Sequence, residues 1–170
     1  MSSSLLYGQA PPTENLSGSA QHFVQAFYDW YIPGLLKSFS TRNSFSWQER
    51  AADFDQRLFR ALKEDDDAQA KAPGEIVGLD YDPFVNNQDP CEHNRARGVR
   101  KNGEAYFVDV HNICNGKEDE QVHVIAEVAR KNDRWVFVNF HYPADRPGGK
   151  EIDLLTILRS LSEDRQKTRK

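Results

Sequence analysis

The hydrophobic positions change period once along this chain, dividing it into a helical part and a stranded part. Over residues 19–39, "SAQHFVQAFYDWYIPGLLKSF", the apolar residues Phe23, Val24, Phe27, Tyr28, Trp30 and Tyr31 recur at helical spacing. Pro33-Gly34 is expected to end or kink that helix, because proline removes a donor and crowds the preceding turn. A second helix is predicted from Ser46-Trp47-Gln48-Glu49, where the serine hydroxyl can accept the third amide while the glutamate reaches back. Trp47, Ala51, Phe54, Leu58 and Leu62 then form one stripe. The acidic run from Glu64 to Asp67 lies near the negative pole of the helix dipole, so the helix is expected to fray there.

Residues 72–91, "APGEIVGLDYDPFVNNQDPC", are rich in turn formers and read as loop. Beyond them the period becomes two. Residues 95–101, 104–114, 121–130 and 134–142 read as four strands, joined at Asn102-Gly103, across "NGKEDE" and at Asn132-Asp133. All three joints suit hairpins, which makes the sheet an antiparallel meander. After Gly148-Gly149 a last helix carries Leu154, Leu155, Ile157, Leu158 and Leu161 on its apolar side. The expected fold class is α+β: N-terminal helices and a C-terminal helix packed on a curved antiparallel sheet. One domain is expected over 11–164, with a basic tail at 165–170.

Strand register bears on the only two cysteines. A two-residue turn at Asn102-Gly103 pairs residues whose numbers sum to 205, and Cys91 and Cys114 satisfy that sum. A disulfide at the open end of the hairpin is the favoured reading, and two free thiols are the alternative. Gly98 is a candidate bulge that would shift the count. His93 and His111 lie near, but the spacing matches no zinc pattern, so no metal is expected.

Composition narrows the function classes. The 170 residues are 38% hydrophobic and 11% aromatic, enough for a core, while a mean hydropathy of −0.75 leaves a polar surface. A net charge of −4 argues against nucleic acid as the main partner. Arg95, Arg97, Arg100 and Lys101 are the local exception, read as an edge strand protected by charge. No apolar run approaches the ~20 residues of a membrane span. The first ten residues, "MSSSLLYGQA", look like the tail of a secretory signal, Gly8 and Ala10 giving a small-x-small pattern; a disordered leader is the alternative. No cysteine follows "LLYG", so no lipid anchor is expected.

The hairpins also gather polar residues. Pairing His111 with His123 sets Asp109 and Glu127 on the same face, and the Asn132-Asp133 turn then brings Tyr142 opposite His123. Asp109, His111, His123 and Tyr142 are thus candidate acid–base residues, since imidazoles beside a carboxylate exchange protons near neutral pH. The bland reading is a partly exposed or subunit-contact face, because Phe107, Ile113, Ile125 and Phe140 share it. Asp80, Asp82 and Asp89 could suggest calcium, but aspartate before proline is more often plain turn chemistry, which is the favoured reading, and no EF-hand spacing is present. Phe27, Trp30 and Tyr31 read as core, with the lining of a ligand pocket as their second reading. Nucleotide loop, nucleophile elbow and zinc-protease helix are all missing, so no cofactor is expected.

The stretch "GEIVGLDYDPFVNNQDPC" followed by the meander resembles a family of bacterial exported proteins and lipoproteins, domain-of-unknown-function family 3828, over about residues 20–162. "LDYDPF" and "QDP" are the specific part. The resemblance implies the cone fold of the nuclear transport factor 2-like superfamily, with helices in the concavity of a bent sheet, often around a pocket. It transfers no catalytic residues. Residues and resemblance together point to a periplasmic or secreted, non-catalytic module that binds a small molecule or an envelope protein. A small hydrolase or isomerase using the Asp109–His111–His123 region is one rival reading, and an accessory subunit forming a homodimer through its open sheet face is another.

Overall fold

The computed structural model describes residues 15–41, 44–144 and 149–168, so the leader expected at 1–10 lies outside the described residues. The first helix, α1 (Leu16–Thr41), runs straight through Pro33 rather than ending there. The ring of Phe45 occupies the place a side chain at Gly34 would take, and it packs on Trp30 and Tyr31. That contact holds the turn after the proline, and only glycine leaves room for it.

The second helix is broken where one stripe was expected. Residues Trp47–Asp53 form a 3-10 segment, with Ser46 Oγ accepting Gln48 N at 3.2 Å. Phe54 is then extended and bridges Phe137, while Asp55 N donates to the Phe137 carbonyl at 2.8 Å. The α-helix proper, α2 (Gln56–Ala70), starts from an Asp55 cap on Arg57 N. Pairing with the sheet edge is worth more to Phe54-Asp55 than one further helical turn.

α2 does not fray at its acidic end, because each carboxylate there has found a partner. Asp65 is buried, accepts Leu79 N at 2.8 Å and pairs with Arg165 at 2.7 Å. Asp66 accepts Trp47 Nε1, and Asp67 pairs with Lys63. Charge partners outweigh the unfavourable dipole. Arg165 also reaches Glu64 and the Val77 carbonyl, and it belongs to α3 (Leu154–Thr168), not to a tail.

Among the described residues the sheet has six antiparallel strands: β1 (His93–Asn102), β2 (Ala105–Cys114), β3 (Lys117–Glu118), β4 (Val124–Lys131), β5 (Arg134–Tyr142) and β6 (Ile152–Asp153). Their order is β1-β2-β4-β5-β6, with β3 hairpinned onto the end of β2. The meander and the α+β class are as expected, but the turns are not all where Asn-Gly pairs suggested. Asn102 pairs with Ala105, so the first turn is Gly103-Glu104, with Gly103 at φ +58° as a type II′ turn requires. Asn115 and Gly116 both have positive φ and make the tight I′ turn into β3. Asn132 and Asp133 do the same between β4 and β5.

Pair sums in the first hairpin are therefore 207, falling to 206 past the bulge at Gly98, rather than 205. Cys91 and Cys114 are nevertheless bonded, with a Cα–Cα distance of 4.9 Å. Cys91 has already left the strand, so the bridge joins the end of the 72–91 strap to β2 diagonally.

The helices cover one sheet face. Phe27 lies at the centre, stacked on Tyr31 at 5.2 Å and meeting Phe54, Phe84 and Phe137 edge-on. The strap is drawn in by three tyrosines: Tyr28 donates to the Phe84 carbonyl, Tyr31 to Asp82 and Tyr142 to the Pro83 carbonyl. The "LDYDPF" segment is thus a structural plug over the aromatic core.

Candidate functional site

Strand alternation divides the polar residues between two places. On the sheet face away from the helices, β2 presents Phe107, Asp109 and His111, β4 presents Ile125 and Glu127, and β5 presents Asn139 and His141. Asp109 is held by Arg100 at 2.6 Å, packed so closely on Gly98 that a side chain there would strike its carboxylate. Glu118 of β3 takes Arg95 and Arg97 together, at 2.9 and 2.8 Å. The three arginines of the basic strip thus form cross-strand ion pairs, while Lys101 lies over the Tyr106 ring.

His111 and His123 do come together, through a residue that the sequence did not mark. His111 is buried and its Nδ1 donates to the Asp119 carbonyl at 3.0 Å, while His123 Nε2 meets the Asp119 carboxylate at 2.9 Å. The amide of Gln121 and the His123 ring hold the Asp119 carboxyl below the usual aspartate range. Asp109 is committed to Arg100 instead, and Tyr142 is on the opposite, helix-facing side. The cause is a bulge in the β4–β5 ladder: Val128 pairs with Phe137, but Glu127 pairs with Asn139. One residue of slip exchanges the faces, so His141, opposite Ile125, lies on the face where Tyr142 was expected.

His141 sits between two carboxylates, Nε2 at 2.8 Å from Glu127 and Nδ1 at 3.1 Å from Glu151. Burial opposes its charge, but the Glu127 hydrogen bond and the charges of Glu127, Glu151 and Asp153 outweigh it and raise its pKa. The two acceptors lie on opposite sides of the ring and cannot converge on one ion. Among the described residues no group of three or more His, Cys, Asp or Glu is placed to hold a metal. Of the calcium candidates, Asp82 is bound to Tyr31 and to Phe84 N, and burial raises its pKa; Asp80 and Asp89 are exposed.

The second place is a cleft of about 560 Å³ between the strap, the end of β5 and the start of α3. Tyr81 and Tyr142 both line it, their rings edge-to-face at 6.0 Å. Asn86 and Lys150 bring polar groups to it, and Pro143, Ala144, Ile152 and Ile157 give it apolar walls. The backbone of Asn86 is left-handed, φ 52°, and its side-chain amide reaches the His123 carbonyl at 3.4 Å. Burial pushes the Tyr142 hydroxyl well above its ordinary value, so it stays a neutral donor to Pro83. Tyr142 is thus the only candidate acid–base residue that lines the cleft, and no histidine faces it. Phe27 and Tyr31 are core, and Trp30 lies half-buried under the Arg50 guanidinium at 4.8 Å; none of the three is on the cleft.

The cleft residues carried no readable sequence signal, since Tyr81, Asn86 and Lys150 come from irregular segments. His141 and Glu127 were accessible in principle, because "WVFV" in β5 is an unbroken apolar run where alternation fails and a bulge can enter. No helix is long and apolar enough to cross a membrane among the described residues. The chain matches no family model, no curated protein and no solved structure.

Proposed function

We propose that the chain is a non-catalytic, extracytoplasmic binding module that holds a small molecule in the Tyr81–Tyr142 cleft. The observation that carries this reading is the composition of the cleft: Tyr81 and Tyr142 beside apolar residues and the polar Asn86 and Lys150, within the volume range of ligand sites. Its chemistry suits a ligand with a flat apolar body, an anionic oxygen toward Lys150 and hydroxyls toward Tyr81 and Asn86. The hydrolase reading loses support because His111, His123 and His141 are each tied to a carbonyl or carboxylate away from the cleft. The Cys91–Cys114 bridge favours an oxidising compartment, periplasmic or secreted. Helices gathered on one face of a bulged antiparallel sheet support the cone-type architecture that the "LDYDPF" resemblance implies.

A crystal soaked in a mixture of small aromatic carboxylates and sugars tests the reading, followed by calorimetry on the hit. Density in the cleft, with affinity lost in Tyr81→Ala and Lys150→Gln but kept in His111→Gln and His123→Gln, is the expected result. Ligand density elsewhere, or dependence on the histidines instead, would overturn it.

A second reading has one observation in its favour. On the outer face the half-buried Phe107 lies amid cross-strand ion pairs, an arrangement that suits the rim of a subunit contact. Solution mass by light scattering distinguishes a dimeric accessory subunit from a monomeric binder.

A further inference from the structure

The outer-face imidazole poses a proton-counting problem. Both nitrogens of His141 are within hydrogen-bonding distance of carboxylate oxygens, Glu127 at 2.8 Å and Glu151 at 3.1 Å. A neutral imidazole has one N–H and can donate to only one of them; serving both requires the imidazolium. When the second proton leaves, a ring lone pair faces a carboxylate lone pair, and one of the two contacts must open.

The acceptors are unequal. Glu127 is on β4, fixed by ladder pairing directly beside β5, with a side chain 21% exposed. Glu151 is 52% exposed and precedes β6, whose pairing with β5 consists of His141 with Asp153 and Tyr142 with Ile152. The weaker attachment is therefore the Glu151 side. Other groups face the same ring from the remaining elements. Asp153 of β6 is held by Asn139 and caps Thr156 at the start of α3. Arg100 of β1, paired with Asp109 of β2, is attracted to Glu151, and the Phe107 ring lies 5.2 Å from the imidazole. Arg100 offers Glu151 a replacement partner once the imidazole is neutral.

We propose that His141 is a proton-operated latch, fastening the 149–153 segment to the sheet while it is an imidazolium and releasing Glu151 when neutral. The raised pKa agrees in sign: the fastened form persists above the ordinary histidine value near 6.5 and is lost as pH rises through the shifted one. Gly149, Lys150 and Ile152 line the cleft, so release loosens one of its walls. That last consequence rests on the binding reading, whereas the latch itself does not.

The test uses the full chain with no ligand. Nitrogen-15 NMR of the imidazole should show both ring nitrogens protonated at pH 6 and a midpoint above 6.5. Amide exchange over 149–153, corrected for intrinsic base catalysis, should quicken at least tenfold across that midpoint. Glu151→Gln keeps the shape and removes the charge; it should lower the His141 midpoint and abolish the pH-dependent step in exchange. A midpoint at or below 6.5, a ring with a single N–H at pH 6, or exchange independent of pH would overturn the latch. Failure of the binding reading would appear in the ligand titration alone and leave these observables unchanged.

Discussion

Gln25 treats Ala96 as a neighbouring strand would. Its side-chain oxygen accepts the Ala96 amide at 2.8 Å while its nitrogen donates to the Asn94 carbonyl at 3.0 Å, and Gln21, one turn earlier, donates to the Ala96 carbonyl. α1 thereby supplies β1, whose only strand partner among the described residues is β2, with ladder-like hydrogen bonds at Asn94 and Ala96. At the other side of the sheet, Phe54-Asp55 and β6 occupy the edge of β5. Both outer strands are thus partly capped, β1 at Asn94 and Ala96 and β5 at Phe137, His141 and Tyr142.

Replacing Gln25 by leucine keeps the bulk and removes that ladder. The Ala96 amide and Asn94 carbonyl are left without their partner, at a cost of about 1–3 kcal/mol in the urea midpoint. Exposed edge groups should also make the variant self-associate, which sedimentation at rising concentration would register. Unchanged stability together with a monomeric profile would mean that water replaces the glutamine adequately.

Arg165→Met should cost about 3–5 kcal/mol, because Asp65 is 4% exposed and would be left as a buried charge without its cation. Asp65→Asn in the same chain should return part of that loss, since the amide retains an acceptor for Leu79 N. Denaturation curves of the two single variants and the pair give the coupling directly. Additive losses would show that the two side chains contribute independently.

The bridge between Cys91 and Cys114 spans 23 residues, and closing such a loop is worth roughly 3 kcal/mol in the chain-entropy model. Because the tie is diagonal to an existing hairpin, the measured effect of the double serine variant should fall below that figure. Intact mass without reductant should be two hydrogens light. Two alkylatable thiols in protein from an oxidising compartment would refute the assignment.

Asp153 gives a pH signature distinct from that of His141. Burial, which would raise its pKa, is outweighed by hydrogen bonds from Asn139 and Thr156, so the carboxyl is held below the usual aspartate range. A depressed folded pKa contributes stability that is fully present above the unfolded value of about 3.9 and lost as pH falls through the folded one. Asp153→Ala should therefore cost about 1 kcal/mol at pH 7 as a lost cap, with the difference shrinking toward zero at the acid end. A difference that persists undiminished at pH 2 would mean that packing, not charge, is responsible.

How far the sequence could be read depended on whether a local pattern decided the outcome. Helical spacing from Phe23 to Tyr31, alternation in β2 and β4, and the turn residues Asn132-Asp133 are local, and each appears as expected. The His111–His123 approach was also legible, since the β2–β4 ladder has one constant offset. The disulfide was found through a count that was off: the turn is one residue later, and the Gly98 bulge recovers only part of the difference. Bulges are where the reading fails, because one extra residue at Val138 leaves composition untouched yet exchanges Tyr142 with His141. The acidic end of α2 was misread for another reason. Its partner Arg165 lies 100 residues away, and nothing near Asp65 announces it.

That distance also sets an order of events in time. A chain threaded out of a ribosome or a translocation channel from its N-terminus exposes Asp65 long before residue 165 appears. Until then, Asp65 lacks its cation and the strap has no guanidinium to donate to the Val77 carbonyl. Closure of α2 onto the strap before α3 arrives leaves Asp65 without its cation. The α2 side of the strap is completed only when the turn of α3 that carries Arg165 is in place.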